Sequence, residues 1–402
     1  MSFLHLASPH RLGEAAPAIV AIPACNEASR IEGCLAALAT QRDPYGAPVP
    51  AGAFAILVYA NNCSDDTVAV AERFAETCPH PIHVVPARHS PERANAGWAR
   101  KMAMDLAADR LEAAGITNGL LLTTDADSLV SPTWFAATVA ELERRVDCVA
   151  GYIDALPAEI MRLGPRFVER GRLEDRYLRL IAEIFARCDP RPHDPWPNHR
   201  VSSGASLGVT LHAYRAVGGL PTVALGEDAA FTQRLEAAGY AVRHAMSVTV
   251  ATSCRFDGRA KGGAADTMRL RHAIEDTPCD DDIETAPRVL WRALLRGGLR
   301  RAHAAGTLNA PAWGRHLGLS APAWRDTLAR FDGPVFEPLW QGLLAGSPAL
   351  AQRRPLRPDD LPRQIARAEA LLVHLRSDVI TLPGTAPADR HPRPAAPVPE
   401  IA

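Results

Sequence analysis

The sequence predicts an α/β protein with a mostly parallel sheet, helices on both faces of that sheet, and a helical C-terminal region. Three observations support this fold class. Strand-like and helix-like patterns alternate along the first half of the chain. The strand-like runs are continuously apolar, as expected of strands that are buried on both faces. From about residue 265 to residue 378 the pattern is mainly helical.

Four strand–helix pairs fill the first part of the chain. The predicted strands are residues 17–23, 54–60, 81–87 and 119–124, and the predicted helices are 27–41, 64–78, 95–115 and 131–145. Ser64 and Ser131 are expected to cap the second and fourth helices, and two acidic residues are expected in the first turn of the second. Pro132 suits a first helical position, and Gly115 is expected to end the third helix.

Beyond residue 150 the pattern is less regular. An amphipathic helix at 166–188 is followed by a proline-rich loop, a glycine-rich segment at 202–221 and a helix that Gly239 ends. Residues 241–253 fit one or two strands, and 255–263 fit a basic, mobile loop. The chain is expected to divide into an N-terminal arm (1–14), a sheet domain (15–264), a helical region (265–382) and a disordered tail (383–402).

Composition excludes several classes of protein. The formal net charge is −1, so no bulk field attracts nucleic acid and we expect no nucleic-acid partner. Eight cysteines without a C-x-x-C pair favour a reduced, cytosolic chain. With no signal peptide and no run of about 20 apolar residues, we expect no transmembrane segment. The expected location is the cytoplasm, with a peripheral place at the inner membrane face as the alternative.

Polar side chains follow the predicted strands at one edge of the sheet. In such sheets ligands bind beyond the carboxyl ends of the strands. Asp125 and Asp127 follow the fourth strand, and in an extended chain alternate residues point the same way. The two carboxylates would then converge on one hard divalent cation, which prefers oxygen ligands. The alternative is a turn whose acids favour the next helix N-terminus.

An ordered set of motifs resembles the family 2 glycosyltransferases of the GT-A fold. In chain order these are VAIPACNEASRIEGCLAALATQ, ILVYANNCSDDTVAVAERFA, NAGWARKMAMDLA, LLLTTDADSLVSPTWF, GGLPTVALGEDAAFTQRLEAAGY and SCRFDGRAKGG. The resemblance covers residues 17–263 and leaves the C-terminal helices outside. It implies a GT-A domain that transfers a sugar from a nucleotide-sugar donor to an acceptor hydroxyl, with Mg²⁺ or Mn²⁺.

The resemblance also implies roles for the first strand ends. Pro23, Asn26 and Glu27 would border the nucleotide, and Asn61 would contact its base or ribose. Arg100 is assigned to the same nucleotide-sugar site, with a solvated helix face as the alternative. For Glu27 the alternative is an acid that only starts a helix.

The remaining implied roles concern charge at the reacting centre. Asp127 and Asp125 would bind the metal ion. Asp228, beside Glu227, would match the general base of inverting members, although both acids could merely charge the first turn of their helix. The last implied group is a lid over the diphosphate, formed by Arg255 and Arg259.

The chain departs from the family in three places. The second strand ends in Ala60, Asn61 and Asn62, where a pair of acids is common in the family. The identity of the nucleotide is therefore not assigned. Thr252 and Ser253 stand where many members have a histidine, so a third metal ligand is unassigned, and His244 precedes that strand. The Q-x-x-R-W signature of processive synthases is absent. Transfer of a single sugar to a glycan, a lipid or a small molecule is therefore expected.

Three other functions are alternatives to sugar transfer. The sequence GASLG around Ser206 matches the G-x-S-x-G elbow of serine hydrolases, but a polar, proline-broken segment precedes it instead of a strand. A sugar nucleotidyltransferase would need a glycine-rich loop where PACNEASR stands. A catalytically inactive relative that only binds nucleotide-sugar is the third. The C-terminal helices are expected to shape an acceptor site or a homodimer interface.

Overall fold

A computed structural model describes residues 17–223, 225–258, 262–351 and 355–377. The predicted N-terminal arm and disordered tail lie outside the described residues, and so does Arg259.

The described residues contain one eight-stranded sheet. Its strands are β1 (Ala18–Ala24), β2 (Ala55–Asn61), β3 (Ile82–Ala87), β4 (Leu120–Thr123), β5 (Ser128–Val130), β6 (Cys148–Ala155), β7 (Leu207–Thr210) and β8 (Val242–Thr252). They lie in the order β3-β2-β1-β4-β7-β6-β8-β5.

The sheet has a parallel half and a mixed half. Strands β3, β2, β1 and β4 are parallel neighbours, with Val20 of β1 opposite Ile56 of β2 and Leu122 of β4. Strand β7 is antiparallel to both β4 and β6, and the short β5 is antiparallel to β8. Strands β6 and β8 are parallel. The parallel half places the carboxyl ends of β1, β2 and β4 at one edge, as predicted.

Fourteen α-helices are present among the described residues. They are α1 (Ile31–Ala39), α2 (Thr67–Ala75), α3 (Ala96–Ala113), α4 (Trp134–Leu142), α5 (Pro157–Ile160), α6 (Pro165–Cys188), α7 (Leu211–Ala216), α8 (Glu227–Ala237), α9 (Ala264–Ala273), α10 (Ala286–Ala304), α11 (Pro311–His316), α12 (Ala321–Arg330), α13 (Phe336–Gly346) and α14 (Leu361–Arg376).

Helices cover both faces of the sheet, because successive strand residues point to opposite sides. Val20 and Ile22 of β1 belong to the core with α1, α2 and α4. Ile19 and Ala21 belong to the core with α3, α7 and α8. All four residues are at most 5% exposed. The predicted fold class is therefore confirmed: an α/β sheet with helices on both faces and a helical C-terminal region.

Helix α6 joins the C-terminal helices rather than the sheet cores. Tyr177 and Ile181 of α6 are buried in one cluster with Val289 of α10 and Ile365 of α14. A further cluster is built from α10 to α13. Helix α6 thus precedes the predicted boundary at 264/265 but packs with helices that follow it. The boundary itself stays a prediction.

Two predicted helix caps are wrong. Helix α2 begins at Thr67, because the Ser64 N–H donates to the Asn26 side chain at 2.7 Å and Asp65 accepts from the Thr67 N–H at 3.1 Å. The two acids therefore precede the helix. Helix α4 begins at Trp134, because the Ser131 N–H donates to Thr249 of β8. Ser131 thereby belongs to a turn.

Other predicted ends are confirmed. Helix α3 ends at Ala113, and Gly115 follows it with φ of 72° in the left-handed region that glycine tolerates. Gly239 follows α8 with φ of 87°. The segment 241–253 contains one strand, β8 (Val242–Thr252), so His244 lies inside the strand and not before it. No helix in the described ranges has both the length and the apolar character needed to cross a membrane.

Candidate functional site

A cavity of about 570 Å³ lies at the carboxyl ends of β1, β2 and β4, against the start of α8 and the end of β8. We call it the rim cavity. Nine of the predicted site residues line it: Pro23, Glu27, Asn61, Arg100, Asp125, Asp127, Glu227, Asp228 and Arg255. Asn26 is near it but is not part of the lining, and Arg259 is outside the described residues.

Asp125 and Asp127 lie in a turn between β4 and β5, not in an extended strand. The Ser128 N–H donates to the Asp125 carbonyl at 3.1 Å and closes the turn. The Cys34 thiol donates to the same carbonyl at 3.3 Å. Both carboxylates still line the rim cavity. The expectation of an extended D-x-D segment is wrong, but the expected convergence of the two side chains on one cavity remains.

Arg100 of α3 joins the two acidic motifs. Its guanidinium donates to Asp125 and to Glu227, and its side chain is only 7% exposed. Burial alone would lower the pKa of Arg100, but the carboxylates of Asp125, Glu227 and Asp228 raise it above its usual value. The alternative of a solvated helix face is wrong for Arg100. It is a buried, permanently charged link between the β4–β5 turn and α8.

Arg255 joins a second pair of carboxylates. It donates from both terminal nitrogens to Glu27, at 2.7 and 2.5 Å, and lies 3.1 Å from an Asp127 oxygen. Glu27 is 4% exposed. Its carbonyl accepts from Ile31 at the start of α1, whereas its side chain is engaged by Arg255. The side chain therefore faces the cavity wall and does not cap the helix.

Asp127 is buried close to two other carboxylates and to Arg255. Burial and the neighbouring Asp125 and Glu27 raise the pKa of Asp127 to about 6, although Arg255 opposes the rise. Such an excess of negative charge fits a hard divalent cation. No group of three His, Cys, Asp or Glu side chains among the described residues is arranged to hold a metal ion. A cation here would need Asp127, Asp125 and oxygens from a bound ligand.

Glu227 and Asp228 begin α8 but differ in their partners. Burial raises the pKa of Glu227, and Arg100 opposes this rise. Asp228 accepts the Gly204 N–H at 2.8 Å and the Ala229 N–H at 2.7 Å, one on each oxygen. These two bonds fix the orientation of the Asp228 carboxylate, which lines the rim cavity. Glu227 is occupied by Arg100.

Two asparagines at the strand ends have different surroundings. The Asn26 side-chain oxygen accepts from Ser64, so it links the turns after β1 and β2. Asn61 is 2% exposed, and its amide nitrogen donates to the Arg93 carbonyl at 3.4 Å. The Asn61 side-chain oxygen is buried without a partner among the described residues. That oxygen is a hydrogen-bond acceptor at the wall of the cavity.

Sequence analysis missed several residues that hold the site. Gly204 orients Asp228, and its neighbour Ser203 also lines the cavity. The Thr67 hydroxyl accepts the Glu27 N–H at 2.7 Å. The Gly204 signal was present as a glycine within a small-residue segment, but nothing local pointed to Asp228. Thr252, in the place of the family histidine, accepts a bond from Ser128 at 3.1 Å.

Ser206 of the GASLG sequence is not an exposed nucleophile. It is fully buried, and its oxygen accepts the Trp134 indole N–H at 2.8 Å. The strand β7 follows Ser206, whereas a hydrolase elbow needs a strand before the serine. The hydrolase alternative therefore lacks its required geometry.

The family comparison covers the residues that build the parallel half of the sheet. Residues 19–184 match the model described as "Glycosyl transferase family 2". These residues are less than half of the chain, and they are similar to that family. The matched range includes Glu27, Asn61, Arg100 and the Asp125–Asp127 turn. Asp228 and Arg255 lie beyond the matched range and reach the rim cavity through α8 and the end of β8.

Solved structures with similar folds are also glycosyltransferases. One is "Mannosyltransferase PcManGT from Pyrobaculum calidifontis in complex with GDP-Man and Mn2+", with 17% identity, a TM-score of 0.43, and coverage of 92% of this chain and 90% of that one. Another is S. aureus TarS 1-349 in complex with UDP, with 14% identity, a TM-score of 0.41, and coverage of 90% and 87%. At these values the fold class rests on the family match and the sheet itself. No curated protein matches the chain significantly.

Proposed function

We propose that the rim cavity binds a nucleotide-sugar together with Mg²⁺ or Mn²⁺, and that one sugar is transferred to an acceptor hydroxyl with inversion. One observation carries the proposal: two acidic motifs, Asp125–Asp127 and Glu227–Asp228, line a single cavity of about 570 Å³. That volume lies within the range of about 300–1,000 Å³ that is usual for small-molecule sites.

The diphosphate would be bound beside Asp127. A divalent cation held by Asp127 and Asp125 would stabilise the negative charge that gathers on the leaving nucleoside diphosphate. Arg255 would add a bidentate contact to phosphate oxygens, because guanidinium and phosphate geometries match. Glu27 supports this role, since it holds the Arg255 side chain at the cavity wall through two hydrogen bonds.

The nucleoside would be recognised at the end of β2. The unpartnered oxygen of Asn61 would accept a hydrogen bond from a ribose hydroxyl or a base N–H. A buried acceptor without a partner costs free energy, on the order of 1–3 kcal/mol, so a ligand that supplies the donor gains affinity. As a neutral amide, Asn61 contributes no charge to the choice of nucleotide.

Asp228 would accept the proton of the attacking hydroxyl. Each of its oxygens is held by one backbone N–H and retains a further lone pair for a hydroxyl. Glu227 is less suited to act as the base, because its carboxylate is already paired with the Arg100 guanidinium. We therefore give Glu227 a positioning role. A single base that activates the acceptor for direct attack at C1 leads to inversion.

Binding without transfer is the second candidate function. It is favoured by the fact that both carboxylates of the Asp125–Asp127 turn already contact a guanidinium. Arg100 and Arg255 can neutralise them without a metal ion.

Donor binding is tested by a thermal-shift screen of UDP-, GDP-, CMP- and dTDP-sugars with and without Mn²⁺, because a bound ligand raises the melting temperature by mass action. We expect one donor class to raise it and Mn²⁺ to increase the effect. The variant Asp127→Asn should remove the Mn²⁺-dependent part, whereas the exposed control Asp326→Asn should keep it. A donor shift that is equal in Asp127→Asn and wild type would contradict the metal assignment.

Catalysis is tested by Asp228→Asn with the donor found in that screen. The amide oxygen can still accept the Gly204 N–H, so donor affinity should stay nearly unchanged. Turnover should fall about a hundredfold or more, because the base is lost. Equal losses of donor affinity and turnover would assign Asp228 a structural role. A wild-type protein that binds the donor but neither hydrolyses nor transfers it would support the second candidate function.

A further inference from the structure

A second and larger cavity lies between the sheet and the C-terminal helices. Its volume is about 1040 Å³, and its walls come from the end of β6, from α6, α10 and α13, and from residues 199–201. We call it the side cleft. The family 2 match ends within α6, so α10, α13 and residues 199–201 belong to the part of the chain outside that match.

The side cleft and the rim cavity share a wall. Ile153, Asp154 and Ala155, at the end of β6, line both cavities. Strand β6 is paired there with the end of β8, where Asp154 is opposite Ala251 and Ala155 is opposite Thr252. The two cavities therefore adjoin at these residues.

The side cleft contains an arginine without an ion-pair partner among the described residues. Arg200 lines the cleft and is exposed to solvent there, and its guanidinium lies 3.8 Å from the centre of the Phe185 ring. It makes no hydrogen bond or ion pair with any residue that the structure describes. Burial and repulsion from Arg296 and Arg191 lower the pKa of Arg200 to about 10.

The charge of Arg200 persists at neutral pH, because a pKa of about 10 is well above 7. Asp282 and Glu236 attract it only at longer range. An arginine without an ion-pair partner would be stabilised further by a ligand anion.

The same cleft exposes apolar side chains. Met161, Val201 and Leu344 line it and are 63%, 49% and 40% exposed. Large apolar side chains gathered in one concave site indicate contact with an apolar partner. The site thus combines exposed apolar walls with two arginines, Arg172 and Arg200, that have no ion-pair partner among the described residues.

We propose that the side cleft binds the acceptor of the proposed transfer reaction, and that this acceptor is an anionic amphiphile. Its carboxylate or phosphate would pair with Arg200, its apolar part would cover Met161, Val201 and Leu344, and its hydroxyl would reach the rim cavity past Asp154. This inference rests on the proposed function only for the role of the ligand. The binding chemistry itself can be tested without a donor.

Binding of four probes, each titrated below its micelle concentration, separates the contribution of charge from that of apolar contact. Octyl β-D-glucuronide and octyl phosphate carry both an anion and an octyl chain. Octyl β-D-glucoside carries only the chain, and methyl β-D-glucuronide carries only the anion. We expect the wild type to bind an octyl anion about tenfold or more tightly than either octyl glucoside or methyl glucuronide, because a charge-assisted hydrogen bond and a buried chain are each worth at least that factor. The two octyl anions distinguish a carboxylate from a phosphate.

Two variants locate the binding. Arg200→Gln should remove the preference for the anion while leaving octyl glucoside binding unchanged, and Arg200→Lys should retain part of it. Gly171→Trp should abolish binding of all four probes, because Gly171 lines the cleft and an added Cβ there meets no atom within 4 Å. Gly346→Trp is the matched control: Gly346 is also an exposed helical glycine with open space around it, but it does not line the cleft.

Three results would overturn the inference: no probe binds the wild type, the anion has no advantage over octyl glucoside, or binding survives Gly171→Trp. Nucleotide-sugar binding should be equal in wild type, Arg200→Gln and Gly171→Trp. Loss of donor binding in the wild type would overturn the proposed function and leave the probe results standing.

Discussion

Arg100 is predicted to be a main electrostatic support of the rim cavity. The variant Arg100→Met removes a guanidinium that pairs with Asp125 and Glu227 and is itself 7% exposed. Breaking a buried ion pair from one side costs about 3–5 kcal/mol, because the remaining carboxylate is left buried and unpaired. Asp125 is 30% exposed and can be solvated, so we expect a loss near the lower end, about 3 kcal/mol in the free energy of unfolding.

In Arg100→Met the carboxylate left buried without its ion-pair partner would be that of Glu227, whose side chain is 6% exposed. Arg100 now opposes the rise in the pKa of Glu227 that burial causes, so that pKa should rise further in Arg100→Met. A carboxyl whose folded pKa exceeds its unfolded value destabilises the protein above the folded pKa and ceases to do so as the pH falls. The loss should therefore be larger at pH 8 than at pH 5.

The assay is urea unfolding of wild type, Arg100→Met, Glu227→Gln and the double variant. The double variant should recover about 1–3 kcal/mol relative to the sum of the single losses, the range expected of residues in direct contact. Far-UV circular dichroism and unchanged denaturant slopes serve as controls for the fold. A loss below about 1 kcal/mol in Arg100→Met, or additive losses in the double variant, would refute the reasoning.

Two further predictions concern packing and pH. Gly204→Ala should lower the free energy of unfolding by roughly 2–3 kcal/mol and lower the melting temperature. The reason is that the added Cβ would lie 2.1 Å from the Arg100 Cζ, and the carboxylate partners of Arg100 restrict its movement. Gly333→Ala is the control, because an added Cβ at Gly333 meets no atom within 4 Å. His80 is 1% exposed and stacks on Phe54 at 3.9 Å, and burial lowers its pKa to about 4. Between about pH 4 and pH 6.5, the His80 imidazole is protonated in the unfolded chain but stays neutral in the folded chain. Acid should therefore lower the free energy of unfolding of the wild type, by about 2 kcal/mol at pH 5. His80→Phe should lose this part of the pH dependence in unfolding experiments at pH 5 and 7.5; an unchanged pH dependence would contradict the assignment.

The parallel half of the sheet could be predicted because its strands are continuous apolar runs. Strand β1 has the sequence AIVAIPA, a continuous apolar run of the kind expected for a strand that is buried on both faces. Strands β5, β6 and β7 were not predicted. Strand β5 has only three residues, and β7 emerges from a glycine-rich segment. Their pairing partners are distant in sequence, so their strand character depends on tertiary contacts rather than on local pattern.

The location of the site could be predicted more fully than its contacts. The rule that ligands bind at the carboxyl ends of parallel strands placed Asn61 and the Asp125–Asp127 turn at one edge. The partner of Arg100, Glu227, lies 127 residues further along the chain, and no local signal connects the two. The same holds for Gly204 and Asp228. The cap at Ser131 was mispredicted because β8, far along the chain, bonds its backbone.

The pairing of β5 with β8 has a consequence for biosynthesis. Ser128 lies opposite Thr252, 124 residues later, so β5 has no neighbouring strand until the ribosome has released that part of the chain. The parallel half can pair much earlier, since all of its strands end by Thr123. The turn with Asp125 and Asp127 would then acquire its final shape only after most of the polypeptide has emerged. A nascent chain halted before β8 would have the wall of the rim cavity at β1 and β2 formed, but the turn with Asp125 and Asp127 would be incomplete.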